Sequence, residues 1–139
     1  MVFDTSVFVG RESRGLGTLA DWAPIISVVT LAELSLGVEA AKTPEIRARR
    51  SKTLAQAKRS VIVGIVVEGG FDVPAAWVKL RRSLSPTMPA NDAWTAATAI
   101  ALGVLVLTQD NDYEAAALSI RVLLSLVITG PISIPLSNP

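Results

Sequence analysis

Short apolar runs alternate along this chain with longer stretches whose apolar residues recur at helical spacing. Five runs read as strands: Met1–Phe3, Pro24–Val29, Val61–Val67, Val104–Leu107 and Ile120–Ile128. They are continuous rather than alternating, as expected of strands buried on both faces. Between them the pattern predicts helices. One begins near Ser6–Gly10. A second runs Leu31–Ala41, capped by Thr30, with Leu31, Leu34, Leu36 and Val38 as its apolar set. A third starts at Thr43-Pro44, with proline in the first turn, and runs to about Arg59. A fourth covers Asp72–Leu84 and a fifth runs from Asn91 or Asp92, as cap, to Leu102, where Gly103 ends it. A short helix follows near Tyr113–Leu118. The stretches Arg11–Gly17, Ser85–Ala90 and Gln109–Asp112 read as loops or turns, and the proline-bearing tail from about residue 130 as irregular. Strand–helix alternation of this kind predicts one α/β domain over residues 1–139, a mainly parallel sheet covered on both faces.

Composition narrows the chemistry. The 139 residues include no cysteine and no histidine. A disulfide, an attacking thiolate, a Cys/His zinc site and an imidazole-based triad are therefore excluded. Acid–base work falls to carboxylates, a lysine or metal-activated water, and any metal site must be built from oxygen, which favours Mg²⁺ or Mn²⁺. The longest uncharged stretches, Ala93–Gln109 and Val122–Pro139, are broken by polar residues, glycine and proline, unlike a span of about 20 apolar residues. Asp4 interrupts the basic and apolar start that a signal peptide needs. The expectation is a soluble, cytoplasmic protein with no membrane association.

The net charge of +1 hides a segregation. Lys42, Arg47, Arg49, Arg50, Lys52, Lys58 and Arg59 crowd one segment with a single acid, Glu45, whereas Asp92, Asp110, Asp112 and Glu114 share the last third with one cation, Arg121. Basic helices beside an acidic focus suit a polyanion held near a metal; solvated helix faces are the ordinary alternative.

In a parallel α/β sheet, sites form outside the carboxyl ends of the strands. Asp4 follows the first strand, Asp110 and Asp112 the fourth. Glu33 lies in the first turn of the helix after the second strand, and Asp92 starts the helix leading to the fourth. All five acids should share one rim. Each also has a local explanation: Thr30–Glu33 fits a capping box, Asp92 an N-cap, and Asp110 and Asp112 a turn. Gathered together, however, like charges are costly unless a cation neutralises them, and Mg²⁺ is the natural compensation.

The residues at these positions make the chain resemble a PIN-domain ribonuclease of the VapC toxin type. The resemblance rests on Val2-Phe3-Asp4-Thr5-Ser6-Val7-Phe8, on Ser27-Val28-Val29-Thr30-Leu31-Ala32-Glu33-Leu34 with Gly37, on Asn91-Asp92-Ala93-Trp94-Thr95-Ala96-Ala97-Thr98-Ala99, and on Leu107-Thr108-Gln109-Asp110-Asn111-Asp112-Tyr113. It implies a three-layer α/β/α sandwich. It further implies that Asp4, Glu33, Asp92 and Asp110 are the four acids of the site and Asp112 an auxiliary fifth. Asp4, Asp92 and Asp110 would ligate Mg²⁺ or Mn²⁺, with Glu33 positioning water or a second ion, or acting as base. Thr5, Ser6 and Thr108 would orient carboxylates or phosphate through their hydroxyls, with backbone capping as the ordinary alternative. Arg11 and Arg14, in the loop after the first motif, would contact RNA phosphates, with solvated loop charges as the ordinary alternative. Partners implied are an RNA substrate, a VapB-type antitoxin and a second copy of the chain. Gly69–Val73 and the proline-rich tail match the family less clearly.

Two other readings compete with a metal-dependent endoribonuclease toxin. One is a non-catalytic RNA- or protein-binding module whose acids merely cap helices. The other is an aspartyl phosphotransferase or phosphatase, which needs a second aspartate two residues after Asp4, where this chain has Ser6.

Overall fold

A computed structural model describes residues 1–13, 15–64, 71–83 and 88–113. Four strands, β1 (Val2–Phe3), β2 (Ile25–Ser27), β3 (Val61–Val63) and β4 (Val106–Leu107), form one sheet in the order β3-β2-β1-β4. Every pairing is parallel: Val2 sits opposite Ile25 and Val106, and Ser27 opposite Val63. Helices α1 (Thr5–Gly10), α2 (Val28–Glu39), α3 (Pro44–Ala57), α4 (Val73–Ser83) and α5 (Ala90–Leu102) surround it.

The alternation of neighbouring strand residues builds two cores. Val2 and Val106 pack with Leu80 of α4, Ala93, Ala96 and Ala99 of α5, and Tyr113. Phe3 and Leu107 point the other way, into a core with Val7, Phe8, Leu34 and Ala57 from α1, α2 and α3. The result is the expected α/β/α sandwich. On α5, Ala93, Ala96, Ala97 and Ala99 are fully buried, and their small side chains let the helix lie close to the sheet.

The element bounds depart from the sequence expectation in instructive places. Ser27, not Thr30, caps α2: its hydroxyl accepts from the Val29 N–H, so the helix starts three residues early. Val28 and Val29 favour strands by propensity, and the cap overrides them. Helix α5 begins at Ala90 after Pro89, without a side-chain cap, so neither Asn91 nor Asp92 serves as one. A 3-10 helix, Gly17–Trp22, starts where the expected Arg11–Gly17 loop ends, in a stretch with no predicted element. Helix α3 starts at Pro44, as the Thr43-Pro44 pair predicts, and Thr43 caps it by accepting from the Ile46 N–H. Gly103 ends α5 at φ 65, a left-handed conformation that suits glycine. The expected strand Ile120–Ile128, the irregular tail and most of the helix expected near Tyr113–Leu118 lie outside the described residues, as does Ile65–Val67.

Candidate metal centre

The strand order reverses direction between β1 and β4, because β2 and β3 continue on the other side of β1. A crevice outside the carboxyl ends of strands forms at such a reversal. Asp4 leaves β1 and Thr108 to Asp112 leave β4 at that point, and α5 delivers Asp92 to the same edge.

Carboxylate oxygens of Asp92, Asp110 and Asp112 lie within 4.8 Å of one another. Asp92 and Asp110 are half-buried and Asp112 is exposed. Opposite oxygens around an octahedral Mg²⁺ are about 4.2 Å apart. The triplet therefore suits a hard divalent ion after a small contraction, and its donors are all oxygen. Burial raises the pKa of Asp92 to about 7, and the charges of Asp4, then Asp110, Asp112 and Glu33, add to that shift. The other four acids named from the sequence thus all lie close enough to act on Asp92.

Asp4 is only 3% exposed and is held by protein donors. Its Oδ2 accepts from the Ser6 N–H at 3.2 Å, the Ser6 hydroxyl at 2.6 Å and the Thr108 hydroxyl at 3.1 Å. Its Oδ1 accepts from the Tyr113 phenol at 3.0 Å. The two hydroxyls also receive bonds from the chain leaving β4: Gln109 N–H donates to Ser6 Oγ at 3.0 Å and Asp110 N–H to Thr108 Oγ1 at 3.0 Å. Asp110 Oδ1 in turn accepts from the Asp112 N–H at 3.1 Å. The acid at the end of β1 and the acids after β4 are thereby fixed to one another through Ser6 and Thr108.

Glu33 does not close a capping box on Thr30. One carboxylate oxygen accepts from the Thr5 hydroxyl and the other from Asn91 Nδ2 at 2.7 Å. These bonds join α1, α2 and α5 at the rim. Ser6 and Thr108 therefore bond to Asp4, and Thr5 to Glu33. Arg11 turns inward, with Nη1 donating to the Leu16 carbonyl at 3.2 Å; Arg14 lies outside the described residues. Sequence reasoning assigned no site role to Tyr113 or Asn91. An aromatic after an acidic turn reads as core, and an Asn before a helical acid reads as a cap; only their long-range contacts reveal the roles.

The basic segment is partly committed within the protein. Arg49 Nε donates to Glu12 at 3.0 Å, Arg50 Nη1 to the Gly37 carbonyl at 2.7 Å, and Arg47 pairs with Glu39 at 3.6 Å. Beside Glu33, a cleft of about 160 Å³ runs between α1, α2 and α3, with Val9 and Leu34 as apolar wall and Glu12 and Arg50 as charged rim.

A family model described as "PIN domain" matches residues 1–118. Among curated relatives, the chain is 45% identical over 114 residues to Ribonuclease VapC4 of Mycobacterium tuberculosis, covering 81% of this chain and 87% of that protein. It is 40% identical over 122 residues to Ribonuclease VapC5 of the same organism, covering 82% and 85%. Among solved structures it is similar to VapBC-5 of Mycobacterium tuberculosis, a member of the VapBC family of toxin–antitoxin systems, at TM-score 0.72 and 32% identity over 90% of this chain and 97% of that one.

Proposed function

The chain belongs to the PIN-domain family, and from that premise we propose that it is a Mg²⁺- or Mn²⁺-dependent endoribonuclease of the VapC toxin class. One observation carries the reading: acids from four separate segments meet at the β1/β4 crevice, where Asp92 is pushed up to about 7 and three carboxylates stand within 4.8 Å. A capping or turn role for each acid would not bring them together.

In this reading Asp4, Asp92 and Asp110 hold the cation, with Asp112 supporting from the exposed side. The bound ion supplies charge neutralisation at the phosphodiester and a more acidic water. The protein residues do the remaining work. Ser6 and Thr108 hold Asp4 still and tie it to the Asp110 turn. Glu33, fixed by Thr5 and Asn91, orients water or accepts its proton. No imidazole or thiol is required. This suits a chain that has neither.

The relatives named above are ribonucleases, and the solved relative is a toxin–antitoxin assembly. We extend both to this chain: RNA is the substrate and a VapB-type antitoxin the inhibitor. The cleft beside Glu33 suits a partner segment with an apolar anchor flanked by charge. Homodimer formation, a cytoplasmic setting and a single domain over 1–139 belong to the same proposal; no helix among the described residues is long and apolar enough to cross a membrane.

Sequencing of RNA ends after brief induction in cells tests the activity. A dominant cut site that disappears with Asp4→Asn is expected. An unchanged set of RNA ends with the wild-type protein would contradict the proposal.

A further inference from the structure

The two oxygens of Asp4 are used unequally. A carboxylate offers about four lone-pair positions, two on each oxygen. Oδ2 takes three donors, from the Ser6 N–H, the Ser6 hydroxyl and the Thr108 hydroxyl, and is saturated. Oδ1 takes one, from the Tyr113 phenol. One lone pair of Asp4 is left over, and it belongs to Oδ1.

Tyr113 is well placed to aim it. The ring is fully buried among Val2, Val106, Ala96 and Ala99, so its position is set by the core on one face of the sheet. The phenol oxygen emerges from that core at Asp4. A phenylalanine would fill the same ring space. What the tyrosine adds is one hydrogen bond to the oxygen that remains open.

We propose that Tyr113 is the positioning residue for metal binding at this site: it fixes Asp4 as a one-point ligand that meets the cation through Oδ1 alone. The proposal rests on the metal-dependent reading above. It makes Tyr113 part of the outer shell that orients a ligand, a role whose loss typically weakens metal affinity by about 10- to 100-fold.

The test is direct Mn²⁺ binding by calorimetry to metal-stripped wild type and Tyr113→Phe, with the thermal midpoint of each metal-free protein read first. The expected result is at least about tenfold weaker binding in Tyr113→Phe, with a cooperative transition retained. Cleavage by the variant should recover at saturating Mn²⁺, so that the metal activation constant changes and the maximal rate does not. Equal Mn²⁺ affinity in the two proteins would overturn the proposal. Failure of wild type to bind Mn²⁺ would overturn the metal-dependent reading as well, and so is a distinguishable failure. Tyr113 is the chain's one tyrosine, which provides a second measurement should Tyr113→Phe not fold. Wild type grown with 3-fluorotyrosine has a single fluorine resonance. That resonance should shift on Mg²⁺ titration with the same midpoint as calorimetric binding. A resonance that stays fixed while Mg²⁺ saturates would overturn the proposal.

Discussion

The Thr108 hydroxyl donates to Asp4 Oδ2 at 3.1 Å while accepting from the Asp110 backbone N–H at 3.0 Å. A residue with no charge thus connects two acids that lie far apart in sequence. Thr108 is fully buried, so neither bond can be replaced by water. Thr108→Val keeps the shape and removes both. It leaves the half-buried Asp110 N–H without its acceptor and Asp4 Oδ2 with one donor fewer, at a cost of about 1–3 kcal/mol. Urea unfolding should show that loss, and RNA cleavage should fall beyond what the unfolded fraction explains.

Asp92→Asn should separate function from stability. The wild-type carboxylate is half-buried beside four other acids, and its removal relieves repulsion. The metal-free variant should melt higher; a gain of about 1 kcal/mol would raise Tm by about 4 °C. Cleavage should drop by at least about a hundredfold, equivalent to about 2.7 kcal/mol of transition-state stabilisation. Differential scanning calorimetry and a cleavage assay on one preparation would show the two effects in opposite directions.

The same residue sets a pH dependence. Its pKa is raised to about 7 in the native chain, whereas an unfolded aspartate ionises near the usual value of about 4. Between these values the native state holds a proton that the unfolded state has released. Its contribution to stability is therefore greatest below about pH 4, declines as pH rises towards 7, and levels off above. Metal binding requires the deprotonated form, so Mn²⁺ affinity should climb over the same window and then plateau. Thermal melts with and without Mn²⁺ from about pH 5 to 8 would show the metal-free and metal-bound curves diverging as pH rises.

Arg50 carries a structural duty. Its Nη1 donates to the Gly37 carbonyl at 2.7 Å, linking α3 to α2. Removing a charged donor from such a bond costs about 1.5–3 kcal/mol. Arg50→Ala should lower the urea midpoint by a corresponding amount. Lys52, exposed on the same helix, should tolerate alanine with little effect.

The order of the elements and the gathering of the acids were legible in the sequence because both follow from general rules. Continuous apolar runs such as Val104–Leu107 mark buried strands, and acids just after such runs fall on one rim. Gly103 and Thr43 announced their ends of helices through backbone chemistry that acts locally. The errors arose where two residues compete for one local job. Ser27 and Thr30 are both good caps, and nothing within a few residues says that Ser27 ends β2. Asn91 and Asp92 look like caps, but α5 starts before them and leaves their side chains free to reach Glu33 and the acidic cluster. The bond from Tyr113 to Asp4 spans nearly the whole described chain, and no local pattern carries it.

A metal held by the crevice acids and used to cut RNA is the central claim. The most direct measurement is cleavage of a single-stranded RNA by metal-stripped wild type and Asp92→Asn, each with chelator and with added Mn²⁺. Cleavage by wild type only when Mn²⁺ is present, and none by Asp92→Asn in either condition, is the predicted result. Equal cleavage by wild type in chelator, or wild-type cleavage by Asp92→Asn, would contradict it.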